Sequence, residues 1–231
     1  MKIIELDEID STNEFCKRLN VEENTVVTAV RQTKGKGTNG RSFVSDEGGL
    51  YVSTVKKYKD FDFGDTFKIM INASVAVCKT VESFSLRPTL KWANDVLVDG
   101  KKICGTLIEN RLGADGTCTS IVGIGLNVNN VLPEELKDTA TTMSESKGKK
   151  IPLAKVRSRL LKYLSKDYTV EDYKRFVDWF GDEVYLLRNG EQTAAKAIDV
   201  DEKGCLICEI AGEIKKISSA EMSLRLKCKS I

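Results

Sequence analysis

The chain has 231 residues, a formal net charge of +2, 41% hydrophobic residues and 30% charged residues. This length suits one large domain or a main domain with a small appendage, and the composition is typical of globular proteins. No apolar run approaches the roughly 18 residues of a membrane span, and the acidic N-terminus does not resemble a signal peptide. Histidine is absent, which excludes Ser-His-Asp and Cys-His catalysis and histidine metal sites.

The first 83 residues alternate strand and helix patterns. Residues 2–6, 25–30 and 50–55 read as strands. A helix is predicted to begin after Asp10, where Ser11 is the N-cap and Glu14 completes a capping box, and Phe15 and Leu19 give it an apolar stripe. From residue 65 to about residue 83, apolar side chains recur at helical spacing and predict a long amphipathic helix.

The next segment is β-rich. Short strands at 89–92 and 96–98 precede a hairpin turn at Asp99-Gly100, and longer strands follow at 103–110 and 119–128. Residues 130–150 are polar and are predicted to form loops, and helices are predicted at 153–164 and 170–180.

After Gly181 the pattern changes to four short strand-like runs. Their residues are 184–187, 193–198, 205–210 and 214–217, and they are separated by the turn signals Asn189-Gly190, Lys203-Gly204 and Ala211-Gly212. Such spacing indicates a small β-barrel. We therefore expect an α+β protein in which residues 1–181 form a mixed β-sheet flanked by helices and residues 182–231 form a small barrel.

Seven scattered cysteines, an odd number, are typical of a reducing cytoplasm. Cys205 and Cys208 form a lone CxxC, which is predicted to be a pair of core thiols rather than a zinc site. The basic residues are spread along the chain, and no polybasic arm indicates a nucleic-acid or membrane partner.

The segment from Gln32 to Arg41, QTKGKGTNGR, combines three glycines with cations. Glycines free backbone N–H groups to curve around an anion, so this loop is a candidate phosphate cradle. Residues 35–40 also match GxGxxG, but the following residues read as loop and strand, which makes the dinucleotide interpretation weak. The plain alternative is a flexible basic surface loop.

Three further blocks could carry chemistry. Residues 91–95, KWAND, place a cation, an aromatic ring, an amide and a carboxylate at a strand end. Lys101 and Lys102 lead into a strand that contains Gly105, and residues 123–129, GIGLNVN, place glycines and asparagines in a β run. Taken singly, each block has a plain structural explanation: a polar turn, a hairpin with solvated lysines, and a bulged strand.

In this order the blocks resemble one family, the biotin protein ligases, which activate biotin with ATP and transfer it to a lysine of an acceptor protein. The matching pieces are residues 8–13, the 32–41 loop with Ser45 and residues 49–51, the 91–95 block, Lys102 with Gly105 and Glu109, and residues 123–129. The resemblance implies a class II synthetase-like biotin/lipoate ligase fold with an SH3-like C-terminal appendage. Lipoate or octanoate ligases share the fold, but their histidine-containing glycine-rich pattern is missing.

The resemblance also implies roles for individual residues. Those expected to act in catalysis are Lys102, Arg41 and Asp95. Those expected to bind biotin are Ser11, Thr12, Asn13, Gln32, Lys36, Gly37, Thr38, Lys102, Gly105 and Leu107. Those expected to bind ATP are Lys36, Arg41, Phe43, Lys91, Asn94 and Asn127, and Asn127 is also a candidate Mg²⁺ ligand.

Three departures from the family pattern stand out. Lys36 and Thr38 occupy positions where arginines are common, Ala93 replaces the usual proline, and Phe43 replaces a common tryptophan. Lys36 keeps its charge without the bidentate fork of arginine, whereas Thr38 carries no charge. The loop is therefore expected to retain biotinyl-AMP less firmly.

The implied substrates are ATP and biotin, with Mg²⁺, and the implied partner is a biotin carboxyl carrier domain of a carboxylase. Because the chain begins at the catalytic domain, we expect a monofunctional cytoplasmic form without a DNA-binding domain, and neither a nucleic-acid partner nor a membrane partner. Homodimers are common in the family, and the sequence does not distinguish a monomer from a dimer. The alternatives are a lipoate or octanoate ligase and a non-catalytic biotin- or nucleotide-binding module.

Overall fold

A computed structural model describes residues 2–62, 64–188, 190–219 and 222–226. A seven-stranded mixed sheet has the order β1-β2-β3-β7-β6-β5-β4, with β1 parallel to β2 and all other neighbours antiparallel. Its strands are β1 Lys2–Ile9, β2 Thr25–Gln32, β3 Leu50–Tyr58, β4 Pro88–Lys91, β5 Asp95–Val98, β6 Lys101–Leu112 and β7 Cys118–Leu126. The predicted mixed sheet is confirmed.

Helices cover both faces of this sheet. They are α1 Thr12–Arg18, α2 Asp65–Glu82, α3 Met143–Lys147, α4 Leu153–Leu164 and α5 Val170–Lys174. α1 lies on β2, β3 and β7, over a small apolar cluster that contains Cys16, Val27 and Val55. α2 and α4 pack together on the opposite side, where α2 buries side chains such as Val75, Val77 and Val81.

The last part of the described chain forms a second sheet of five antiparallel strands, with the order β11-β10-β9-β8-β12. Its strands are β8 Glu183–Arg188, β9 Glu191–Val200, β10 Leu206–Ile210, β11 Glu213–Ile217 and β12 Ser223–Leu226. Within the described residues, β11 and β12 are not paired, so the predicted closed barrel is replaced by an open sheet. The turn predicted at Asn189-Gly190 includes Asn189, which lies outside the described residues.

The two sheets share one hydrophobic core, because Phe67 and Trp92 from the first part and Val184 and Leu206 from the second belong to the same buried cluster. The indole N–H of Trp92 donates to the carbonyl of Gly204, in the turn before β10, across 2.9 Å. The second sheet thereby supports the strand end that carries the 91–95 block.

Both ends of α1 differ from what the sequence predicted. Ser11 caps α1 by accepting from the N–H of Glu14, but the Ser11 N–H is taken by Asp10 and the Glu14 carboxylate binds lysines, so the predicted capping box does not form. Leu19 lies at the C-cap and is 64% exposed rather than part of an apolar stripe.

Two other segments also differ from expectation. The predicted loop at 130–150 contains a 3-10 turn, Glu134–Leu136, and helix α3, which begins with a capping box between Thr142 and Glu145. The helix predicted at 170–180 ends at Lys174. Beyond it the Phe176 carbonyl accepts a bond from the N–H of Leu90 in β4, which replaces a helical partner.

Candidate active site

A cavity opens on the α1 face of the large sheet, between α1, the segment from Gln32 to Phe43, and strands β6 and β7. Its lining residues are Ser11, Thr12, Asn13, Gln32, Lys36, Gly37, Thr38, Phe43, Asn94, Lys102, Gly105, Thr106, Leu107, Gly123, Ile124 and Gly125. Twelve of these are residues that the sequence predicted for biotin or ATP binding. Four predicted site residues do not line the cavity: Arg41, Lys91, Asp95 and Asn127.

Glycines form the floor of the cavity. Gly105 of β6 pairs with Gly125 of β7, and Gly123 lies two residues away on the same face of β7. A Cβ atom at Gly125 would lie 2.6 Å from Cε1 of Phe43, and one at Gly123 would lie 2.4 Å from Oδ1 of Asn13. The sheet therefore lets neighbouring groups approach its backbone closely at this point.

Neutral polar side chains form one wall. The carboxamide oxygen of Gln32 accepts from the backbone N–H and the hydroxyl of Thr12, at 2.8 and 3.0 Å, and its NH₂ group donates to Ser45 at 2.9 Å. Ser53 Oγ lies 2.6 Å from Asn13 Oδ1. Because these groups hold one another in fixed orientations, the wall presents preorganised donors and acceptors to a neutral polar ligand.

The glycine-rich segment forms a hairpin over this wall. Lys36 and Ser42 form an isolated antiparallel β-bridge, and the N–H of Gly37 donates to the carbonyl of Arg41. Residues 38–40 make a 3-10 turn at the tip. No helix of the Rossmann type begins here, so the dinucleotide interpretation of GxGxxG is wrong. The Arg41 side chain is exposed and folds back onto Thr38, contacting its carbonyl at 3.3 Å and its hydroxyl at 3.2 Å.

Phe43 returns from the hairpin into the cavity. Its ring lies above Gly125 and reaches toward Gly105. The remaining space is about 40 Å³, far less than the roughly 300–1,000 Å³ of typical ligand pockets. A ligand of vitamin or nucleotide size would therefore have to displace the Phe43 ring from the floor glycines or extend out of the cavity toward solvent.

Lys102 places a cation beside the glycine floor of the cavity. Its ammonium lies 2.6 Å from Oδ1 of Asp95, and the Lys91 ammonium lies 3.6 Å from Oδ2 of the same carboxylate. A Cβ atom at Gly105 would lie 3.2 Å from the Lys102 ammonium. Asp95 thus anchors Lys102 from outside the cavity lining, and the glycine leaves room for the ammonium.

The backbone of Lys102 is also held in place. Its N–H donates to the carbonyl of Thr139 at 2.8 Å, and its carbonyl accepts from the N–H of Thr141 at 3.0 Å. Buried Asn127 reinforces the same region, because its NH₂ group donates to the Thr141 carbonyl at 3.3 Å while its Oδ1 accepts from Asn130 at 3.2 Å. These bonds place Asn127 behind Lys102 rather than in the cavity.

No group of three or more histidine, cysteine, aspartate or glutamate side chains that could hold a metal ion occurs among the described residues. Asp95 is the carboxylate that pairs with Lys102, and it also pairs with Lys91. In nucleotide-binding sites Mg²⁺ is commonly bound to the phosphates of the nucleotide and to few protein side chains. The arrangement suits a magnesium nucleotide that enters as a substrate better than a protein-built metal cage.

Sequence reasoning missed some residues of the site. Gly123 and Gly125 belong to the 123–129 block, but the sequence assigned them no role. Their spacing of two residues places them on one face of the strand. Glu14, Lys17 and Glu109 form an ion-pair chain beside the cavity. The local sequence does not reveal this chain, because Glu109 reaches α1 only through the pairing of strands far apart in sequence.

Comparison with known proteins identifies the family. The model of the biotin/lipoate A/B protein ligase family matches residues 6–129. The chain belongs to this family. Bifunctional ligase/repressor BirA of Bacillus spizizenii is 34% identical over 243 aligned residues, which cover 96% of this chain and 74% of that protein. The biotin--[acetyl-CoA-carboxylase] ligase of Mycobacterium tuberculosis is 26% identical and covers 87% of this chain and 79% of its own length.

A solved structure of this family has nearly the same extent. Biotin protein ligase from Aquifex aeolicus, in complex with biotin and ATP, superposes with a TM-score of 0.83 at 36% identity, covering 98% of this chain and 99% of that chain. The likeness therefore includes the second sheet as well as the family match at residues 6–129. Across the described ranges, no helix has both the length and the apolar character needed to cross a bilayer.

Proposed function

We propose that the protein is an ATP-dependent biotin protein ligase. The observation that carries the proposal is the position of Lys102, whose ammonium shares one cavity with the polar wall of Thr12, Asn13 and Gln32 and with the glycine-rich hairpin. A ligase named for biotin covers 87% of the chain, and a biotin protein ligase whose structure holds biotin and ATP covers 98% of it. A lipoate ligase is less well supported, because the relatives named here are biotin ligases.

The first reaction joins two anions. A carboxylate oxygen of biotin attacks the α-phosphorus of ATP, the bond from that phosphorus to the bridging oxygen of the β-phosphate breaks, and pyrophosphate leaves; Mg²⁺, if bound to the phosphates, would help to neutralise their charge. The Lys102 ammonium is proposed to lie between the carboxylate and the α-phosphate, where it lowers their repulsion and stabilises the charge that grows on phosphate. Asp95 holds that ammonium in place. Arg41 is proposed to face the phosphates once its side chain leaves Thr38, and Lys36 belongs to the hairpin proposed to cover biotin and the nucleotide.

The second reaction transfers biotin. The amine of an acceptor lysine attacks the acyl carbon of biotinyl-5′-AMP, an amide bond forms, the acyl–phosphate bond breaks, and AMP leaves while the amine loses a proton. We propose that Thr12, Asn13, Gln32 and Leu107 bind the biotin ring system. Phe43, Lys91, Asn94 and Asn127 are proposed to act on the nucleotide side, and Asn127 remains a candidate Mg²⁺ ligand.

The proposed acceptor is the biotin carboxyl carrier domain of a carboxylase, since one relative is named for acetyl-CoA carboxylase. A cytoplasmic location is supported by buried reduced thiols such as Cys16, Cys78 and Cys104. Residues 1–181 and 182–231 are proposed as the two structural units, because the second sheet begins at Glu183. The lack of a nucleic-acid partner stays a prediction, and a homodimer is proposed as one of the two oligomeric states to test against a monomer.

The test is biotin-dependent exchange of pyrophosphate into ATP, followed by streptavidin detection of a carrier domain incubated with the protein, biotin, ATP and Mg²⁺. We expect exchange with biotin, none with lipoate or octanoate, and labelling of the carrier that disappears when its target lysine is changed to arginine. Exchange with lipoate but not with biotin would show instead that the protein is a lipoate ligase. Binding of biotin without any exchange would establish a non-catalytic module.

A further inference from the structure

The glycine-rich hairpin is tied to α1 by one ion pair. The Lys36 ammonium lies 2.7 Å from Oε1 of Glu14, and the Lys17 ammonium lies 2.8 Å from the same oxygen. The Glu14 side chain is only 24% exposed, against 48% for Lys36. The hairpin therefore meets a carboxylate that is fixed on a helix and already oriented by a neighbouring lysine.

This ion pair continues into the floor of the cavity. Lys17 also contacts Oε1 of Glu109 at 2.6 Å, and Oε2 of Glu109 accepts from the carboxamide of Asn13 at 2.8 Å. Asn13 in turn faces Gly123, where no side chain separates it from the sheet. An unbroken chain of contacts thus runs from the hairpin cation through α1 to a polar residue of the cavity.

Apart from the Lys36–Glu14 pair and the Phe43 ring on the cavity floor, the hydrogen bonds that join the hairpin to the rest of the protein lie at its base. The N–H groups of Thr33 and Lys34 donate to the carbonyls of Ile9 and Asp10. Arg41 folds onto Thr38 within the hairpin itself. Among the described residues, the pair between Lys36 and Glu14 is the ion pair that joins residues 33–43 to the rest of the protein.

We propose that Glu14 is a positioning residue that latches the glycine-rich hairpin over the cavity through Lys36. The latch deepens the proposed function, because this hairpin is the segment proposed to cover biotinyl-AMP. Glu14 does not line the cavity, and it acts by biasing the hairpin toward the position in which Lys36, Gly37 and Thr38 line it. Opening for substrate entry requires the Lys36–Glu14 pair to separate.

The charge state of this pair suits such a latch. Hydrogen bonds from Lys17 and then from Lys36 lower the pKa of Glu14 below its ordinary value. The carboxylate is consequently ionised at neutral pH, and the pair is electrostatic. Because Lys36 is half exposed, added salt screens the pair and should loosen the hairpin.

The first experiment needs no substrate. Amide hydrogen exchange of residues 33–43 is compared between the wild type, Glu14→Gln and the control Glu171→Gln, which removes the acid of an i,i+3 pair with Lys174 far from the cavity. We expect exchange in this segment to rise by about two- to fivefold in Glu14→Gln, the range set by a partly exposed ion pair. The control should match the wild type.

Two results separate a latch from general destabilisation. Lys36→Met should loosen the hairpin as much as Glu14→Gln does, and the double variant should be no looser than either single variant, whereas Lys36→Arg should retain protection. Protection elsewhere in the sheet should be unchanged. Equal protection of residues 33–43 in the wild type and Glu14→Gln would overturn the proposal, as would additive effects of the two substitutions.

The second experiment follows preformed biotinyl-AMP. Labelled adenylate is made on the enzyme and chased with unlabelled biotin and ATP, and we expect Glu14→Gln to release it about two- to fivefold faster than the wild type. Loss of the latch with no change in release would show that the hairpin does not retain the intermediate. If the protein forms no adenylate, the proposed function fails, while the exchange experiment still decides the latch.

Discussion

Lys102 Nζ and Asp95 Oδ1 lie 2.6 Å apart, on neighbouring antiparallel strands whose pairing places Asp95 opposite Gly105. The same carboxylate meets Lys91 at 3.6 Å. The side-chain position of Lys102 is therefore set by a residue that does not line the cavity. Loss of the lysine and loss of its partner should consequently have different kinetic effects.

We expect Lys102→Ala to lower biotin-dependent exchange by about 100-fold or more, because one fixed charge at a developing oxyanion has this magnitude. Asp95→Asn should have a smaller effect, about tenfold, since the ammonium remains but loses its anchor. Exchange rates at saturating ATP and biotin measure both effects. Full activity in Lys102→Ala, with an unchanged melting temperature, would remove this residue from its proposed role.

The floor glycine Gly123 should control ligand binding. A methyl group there would lie 2.4 Å from Asn13 Oδ1, so Gly123→Ala must displace the carboxamide and disturb its bonds to Glu109 and Ser53. We expect biotin affinity to fall by about tenfold, as for one disrupted charge-assisted hydrogen bond. Gly64→Ala is the matched control, because its new Cβ would be no closer than 3.8 Å to a neighbour. Isothermal titration with biotin measures both variants.

Thr38 lies at the hairpin tip, at a position where the family resemblance leads us to expect an arginine. It accepts from Arg41 at 3.2 Å and presents no charge of its own to the cavity. We expect Thr38→Arg to slow the release of biotinyl-AMP by about tenfold, equivalent to one added charge-assisted hydrogen bond. Pulse–chase measurement of the adenylate tests this difference, and equal off-rates in the two proteins would contradict it.

The contact between Trp92 and Gly204 should contribute to stability. Trp92→Phe removes the N–H that binds the Gly204 carbonyl and leaves space beside a fully packed ring. We expect a loss of about 2–4 kcal/mol in the free energy of unfolding, from a truncated aromatic side chain and an unpaired buried carbonyl. Urea denaturation measures the loss. Trp179→Phe is a matched comparison, since its indole donates to the Leu90 carbonyl in the same way.

Acid should weaken the start of α1. A side-chain hydrogen bond from Arg18 lowers the pKa of Asp10 from 3.8 to about 2. A carboxylate with a lowered folded-state pKa adds stability above its unfolded pKa, and this contribution is lost as the pH falls from about 4 to 2. Asp10→Asn should therefore be less stable than the wild type at pH 7, and the difference in melting temperature should shrink below pH 4. A difference in melting temperature that stays constant from pH 7 to pH 2 would contradict the lowered pKa of Asp10.

The sequence predicted many element boundaries closely where a local pattern was strong. The predicted helix at 153–164 coincides with α4, and the predicted long helix at 65–83 extends one residue beyond α2, because their apolar residues repeat at helical spacing over several turns. It failed where another part of the chain competed for a local partner. The Glu14 carboxylate is the example, since lysines on α1 and on the hairpin bind it instead of the Ser11 N–H.

The sequence by itself determined the residue types of the site. A glycine-rich basic loop, a lysine entering a glycine-containing strand and an absence of histidine can be read from local sequence, and their resemblance to the biotin protein ligases implies electrostatic activation of an acid. Only the tertiary structure decided which of these residues meet. Pairing of β6 with β5 and β7 brings Asp95 to Lys102 and Gly105 to Gly125, and packing of α1 brings Glu14 to Lys36. Such contacts depend on strand register and helix placement, which no short segment encodes alone.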